Sequence, residues 1–86
     1  MLFRSTLGFT YFKLNQYEHA IYYYREAIKL LPDYTLALTN LGLVYEGLQK
    51  YVEASQTYNN VLVYESKNKI ASSRLPVVQI KEKLTS

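Results

Sequence analysis

The sequence contains no cysteine and a single histidine, His19, among its 86 residues. A disulfide frame and a thiolate metal site are thereby excluded, as is any site built from several imidazoles. No apolar run approaches the roughly 18 residues that a membrane span requires. The opening residues, MLFRSTLGF, do not follow the basic-then-apolar layout of a secretory signal, so a soluble chain is the expectation. Tryptophan is absent as well, whereas tyrosine occurs 10 times. A chain this short holds one domain at most and buries only roughly 60–65% of its unfolded surface. Its 49% of hydrophobic residues fits a globular rather than a disordered chain.

The formal net charge of +3 is unevenly placed. Residues 1–66 balance Arg4, Lys13, Arg25, Lys29 and Lys50 against six acids, Glu18, Glu26, Asp33, Glu46, Glu53 and Glu65. Residues 67–86 set Lys67, Lys69, Arg74, Lys81 and Lys83 against Glu82 alone. The basicity therefore belongs to the C-terminal segment. Five scattered cations without interleaved aromatics make a poor nucleic-acid footprint. They leave room for contact with an acidic protein surface or with a membrane periphery, through Lys67, Lys69, Lys81 and Lys83.

What is present is a repeat. Sliding the sequence by 34 residues lays Leu2 on Leu36, Leu7 on Leu41, Gly8 on Gly42, Tyr11 on Tyr45, Tyr17 on Tyr51, Ala20 on Ala54 and Tyr24 on Tyr58. Two units, 1–34 and 35–68, follow, with 69–86 as a degenerate third. Within a unit the apolar residues step by three and four, as in helices. The spacing predicts helices over 2–14, 18–31, 35–48 and 52–65, with short turns at KLNQY and GLQKY and a stop at Pro32. In 69–86, Val77, Ile80 and Leu84 form an apolar stripe. Either Ser73 caps a helix that begins at Arg74, or one longer helix runs from Lys69 with a kink at Pro76. Either way the segment is expected to cap the second hairpin.

Unit one, with Leu7, Gly8, Tyr11, Ala20, Tyr24, Ala27 and Pro32, resembles the tetratricopeptide (TPR) repeat. It departs from the family pattern only at Arg4, where a tryptophan is usual. Unit two supplies Leu41, Gly42, Tyr45, Ala54 and Tyr58, with Leu38 in place of the tryptophan, Val61 for the second alanine and Ser66 for the proline. Residues 69–86 match only by phase, through Leu75. The resemblance implies an all-α fold: a right-handed superhelix of two helical hairpins and a C-terminal capping helix. Gly8 and Gly42 would let paired helices approach, with Ala20 and Ala54 in the gap opposite. Tyr11, Tyr24, Tyr45 and Tyr58 would bury their rings and find hydroxyl partners at the rim. Because such arrays usually need about three units, a piece of a longer protein or a subunit held in a complex is expected.

The same resemblance places a ligand groove along the first helices of successive units. Its candidate residues here are Leu2, Phe9, Phe12, Leu36, Asn40, Leu43, Arg74 and Val77. Apolar rails with a polar centre, including Ser5 and Thr39, suit a hydrophobic or amphipathic segment of a partner protein. Leu2 and Leu36 are read equally as core. The family's clamp for acidic chaperone tails needs basic or amide groups at five places. Only Asn40 and Arg74 supply them, while Ser5, Phe9 and Ile70 fill the other three, so chaperone-tail binding is not expected. Three consecutive tyrosines, Tyr22–Tyr24, put one ring in the core (Tyr24), one on the flank (Tyr23) and one, Tyr22, on the convex face, where it is either a bare surface residue or a contact.

No catalytic constellation is found. Gly42 to Gly47 reads G-x-x-x-x-G but continues Leu-Gln rather than Lys-Ser/Thr, inside a helix. The glutamates lack a partnered base, and His19 reads as an exposed polar residue. A non-enzymatic scaffold, adaptor or assembly factor without cofactor or metal is expected. The alternatives are a structural subunit packed permanently into a larger complex, or docking through the basic C-terminal segment. The wording YFKLNQYEHAIYYYREAI, rich in Tyr, Lys and Asn, also looks like TPR proteins of AT-rich organelle genomes. Among these are plastid proteins that assist photosystem I assembly, which would place the chain at a plastid stroma or thylakoid surface.

Overall fold

A computed structural model describes residues 3–85. Five helices follow one another: α1 (Phe3–Lys13), α2 (Tyr17–Leu30), α3 (Thr35–Gly47), α4 (Tyr51–Tyr64) and α5 (Lys69–Thr85). No strand occurs among the described residues. Each helix packs on the next in the chain; in addition α1 touches α3, and α3 touches α5. The odd-numbered helices therefore stand side by side.

Both turns inside the hairpins are built alike. Asn15 and Gln49 lie in the left-handed region, with φ of 60° and 61°. Beside them, Asn15 N–H donates to Phe12 C=O and Gln16 N–H to Tyr11 C=O, while Gln49 N–H donates to Glu46 C=O and Lys50 N–H to Tyr45 C=O. This paired pattern satisfies the last carbonyls of α1 and α3 and reverses the chain in few residues. The connections between hairpins also match. Leu31 (φ −135°, ψ 87°) is held extended by the following Pro32. Glu65 adopts φ −136°, ψ 86° without a proline after it.

The core is small and aromatic. Ala20, Ile21, Tyr24, Ala27, Ala37, Leu41 and Val44 form one cluster, and Leu38, Ala54, Tyr58, Val61, Ala71 and Val78 a second. Ile28 and Tyr45 pack against both. Tyr24 and Tyr58 are fully buried, and ring burial of this size stabilises by about 2–3 kcal/mol each. The groups nearest the two glycines are tyrosine rings. A Cβ at Gly8 would lie 2.9 Å from Tyr24 Cδ1, and one at Gly42 2.5 Å from Tyr58 Cε1. The notch left by each glycine thus holds the tyrosine ring of the paired helix. Ala20 and Ala54, on the same helices as these rings, are fully buried. The rim partner expected for every tyrosine is incomplete. Tyr58 Oη donates to Glu46 Oε1 at 2.9 Å, whereas the Tyr24 hydroxyl is buried without a hydrogen-bond partner.

Helix α5 decides between the two expected starts, in favour of the longer helix from Lys69, and corrects the expected stripe. It begins at Lys69, and its cap is Asn68, whose Oδ1 accepts from Ala71 N–H at 2.9 Å. Ser73 is one turn inside the helix and donates to Ile70 C=O instead. Pro76 lies in the helix interior. The residues that α5 buries are Ala71 and Val78, with Leu75 packed beside them. Val77 is half-buried, and Ile80 and Leu84 of the expected stripe are 60% and 79% exposed. Two apolar faces compete on this helix, and the one carrying the small Ala71 fits closest to α4.

Candidate functional site: the face of the odd-numbered helices

The side-by-side placement of α1, α3 and α5 creates two clefts on one face. The first, of about 460 Å³, is lined by Ser5, Thr6, Phe9, Tyr34, Leu36 and Asn40. Phe9 is 48% exposed and Leu36 57%, so Leu36 is not a core residue. The Lys13 ammonium sits over the Phe9 ring, 5.8 Å from its centre. Asn40 stands near the Tyr24 hydroxyl and offsets part of the burial that pushes it up to about 12.

The second cleft, also about 460 Å³, is lined by Phe12, Tyr17, Leu43, Glu46, Gly47, Arg74 and Lys81. Phe12 and Tyr17 meet with ring centres 5.9 Å apart. Glu46 joins three helices. Arg74 of α5 donates from Nε to its Oε1 at 3.2 Å and pairs through Nη2 with its Oε2, while Tyr58 of α4 donates to Oε1. The Glu46 side chain is 11% exposed and Arg74 38%. Burial pushes the Tyr58 hydroxyl up to about 12.

The sequence-derived groove residues therefore divide. Phe9, Leu36 and Asn40 come together in the first cleft, and Phe12, Leu43 and Arg74 in the second. Val77 lines neither, and Leu2 lies outside the described residues. Two expected polar centres, Ser5 and Thr39, are buried, and the Thr39 hydroxyl has no partner. Sequence reasoning missed Tyr34 and Tyr17, and it did not foresee the partners of Glu46. Lys81 lines the second cleft and rests over the Tyr51 ring at 5.7 Å.

The other candidate surfaces lie elsewhere. Tyr22 is 60% exposed and meets Tyr23 edge-on at 5.1 Å. Tyr23 stacks on Tyr11, which also stacks on His19. Lys67 and Lys69 stand at the start of α5, and Lys81 and Lys83 near its end, about 18–21 Å along the axis. The chain does not gather these four cations into one patch. No group of three or more potential metal-ligating residues occurs among the described residues, and no described helix is long and apolar enough to cross a membrane.

Comparison with known proteins agrees with this architecture. The TPR repeat family profile matches residues 8–49. The chain is 38% identical over 71 residues to the ycf37 protein of Guillardia theta, covering 83% of this chain and 40% of that one. It is 30% identical over 80 residues to the tetratricopeptide repeat domain-containing protein PYG7, chloroplastic, of Arabidopsis thaliana, covering 93% and 27%. The chain thus spans less than half the length of these relatives. In fold it is similar to the Arabidopsis OM64 TPR domain, with a TM-score of 0.85 and 24% identity, over 95% of this chain and 66% of that one. With the 34-residue period, the paired hairpins and the ring-in-notch packing, these matches show that the chain belongs to the tetratricopeptide repeat family.

Proposed function

We propose that the chain is a non-enzymatic interaction module that holds an apolar or amphipathic segment of a partner protein against α1, α3 and α5. One observation carries this reading: Phe9 and Leu36, both about half exposed, line a cleft whose wall also holds the Asn40 amide. Large apolar side chains kept at a surface around a polar group suit the anchors of a partner helix. An acidic chaperone tail is not the proposed ligand, since Arg74 is already paired with Glu46.

The proposed process is assembly of a membrane complex such as photosystem I, in a plastid. The similarity to ycf37 proteins and to a protein named chloroplastic supports the plastid location. The organelle-like composition supports the process. A pull-down from separated soluble and membrane fractions, with wild type beside a Phe9→Glu/Leu43→Glu variant, tests the proposal. Loss of one partner set from a variant that keeps its helical circular dichroism supports groove binding. Retention of every partner contradicts it.

A further inference from the structure

Glu46, Tyr58 and Arg74 have counterparts 34 residues earlier: Phe12, Tyr24 and Asn40. The comparison is informative because only the tyrosine is shared: Phe12 stands where Glu46 does, and Asn40 where Arg74 does. In the earlier trio no acid is present, and the Tyr24 hydroxyl stays unpartnered. Even so, Tyr24 and Tyr58 are both 0% exposed. A carboxylate is therefore not needed to seat the ring. What Glu46 changes is the groove, because it lines the second cleft and takes up that cleft's guanidinium.

We infer that Glu46 is a built-in carboxylate that occupies Arg74 and thereby sets the charge preference of the second cleft. The partner segment it selects is apolar where it meets Phe12 and Leu43, and brings no carboxylate against α5. An arginine already held through two nitrogens offers little to a second acid. A second acid would also stand beside Glu46 in a partly desolvated site, where like charges repel strongly. The chain thus discriminates at α5 by filling the Arg74 guanidinium itself, while the cleft's other cation, Lys81, rests over the Tyr51 ring. This inference rests on the groove-binding reading above.

The test uses the full chain, as wild type, Glu46→Ala, Glu46→Gln and Glu46→Ala/Arg74→Met. Glu46→Gln can keep the bond from Tyr58, so it guards against loss of fold in the alanine variant. The first readout follows the Arg74 Nε–H resonance during titration with acetate. It should move in the folded Glu46→Ala variant and stay still in wild type, whether or not any peptide binds. The second readout is calorimetric affinity for two leucine-rich dodecapeptides, one with a free C-terminal carboxylate and one amidated. Wild type should not favour the carboxylate. Glu46→Ala should favour it by about tenfold, and the double variant should lose that preference. The inference is overturned if acetate shifts Arg74 equally in wild type and Glu46→Ala, or in neither. It is also overturned if wild type already prefers the free carboxylate. If acetate behaves as expected but no protein binds either peptide, the groove reading fails while Glu46's occupation of Arg74 stands.

Discussion

A Cβ at residue 42 would come within 2.5 Å of Tyr58 Cε1. The ring of α4 rests on the bare backbone of α3, and the same contact recurs between Gly8 and Tyr24 at 2.9 Å. In an exposed helix interior, replacing glycine by alanine gains about 0.5–1 kcal/mol. Here the added methyl meets a rigid, fully buried ring. Gly42→Ala should lose about 2–3 kcal/mol and Gly8→Ala about 1–2 kcal/mol, by urea unfolding. Equal or greater stability in Gly42→Ala would show that the ring can move aside.

The two buried tyrosines should respond differently to loss of their hydroxyls. Tyr58→Phe removes a hydrogen bond to a carboxylate and should cost about 1.5–3 kcal/mol. Tyr24→Phe removes a buried hydroxyl that makes no well-formed hydrogen bond and has only the Asn40 amide near it, so the change should stay within about 1 kcal/mol of neutral. Parallel thermal melts of the two variants check the asymmetry.

Two backbone positions invite stabilisation. Gln49 pays for a φ of 61°, and Gln49→Gly should stabilise by about 0.5–1 kcal/mol. Ser66 follows a residue whose dihedrals match those before Pro32 within a degree. Ser66→Pro should stabilise by about 0.4–1 kcal/mol through the unfolded chain. Denaturant midpoints of the single and double variants should rise and add, because the sites lie in different connections.

Stability should fall at both ends of the pH scale. Burial pushes the Tyr24 and Tyr58 hydroxyls up to about 12, against an ordinary value near 10. The folded chain then keeps protons that the unfolded chain releases. Their contribution is whole below about pH 10 and is lost as pH rises toward about 12, by up to about 1.4 kcal/mol per pH unit for each ring. Glu65 behaves oppositely. The Thr35 hydroxyl, and then the Asn68 amide, hold its carboxyl below the usual glutamate range. Its contribution is present above that range and is lost as pH falls through the lowered value. Melting temperature against pH checks both limbs, and a Tyr24→Phe/Tyr58→Phe variant should flatten the alkaline one.

The helices and their order were legible because the steps of three and four residues repeat with a fixed period. Which side chain lies over which was less so. Spacing puts Ala20 and Tyr24 on one face of α2 but does not say which of them reaches Gly8. In α5, Ala71, Leu75 and Val78 compete with Val77, Ile80 and Leu84 at equally helical spacing, and only the fit to α4 decides between them. Asn68 was hidden as a cap because Ser73 and Pro76 together look like a helix start. At the site, the apolar residues were legible from their columns. The role of Glu46 was not, since Arg74 lies 28 residues away and Tyr58 on another helix.

The most direct test of the central claim places a photo-crosslinking amino acid at Leu36, in the first cleft, and separately at Tyr22 and at Val63. All three positions are at least half exposed, so accessibility does not favour one over the others. After irradiation in organelle extract, mass spectrometry identifies what each position has captured. Capture of one protein segment from Leu36 alone is the predicted result. Capture of the same segment from Tyr22 or Val63, with none from Leu36, would contradict binding on the face of α1, α3 and α5.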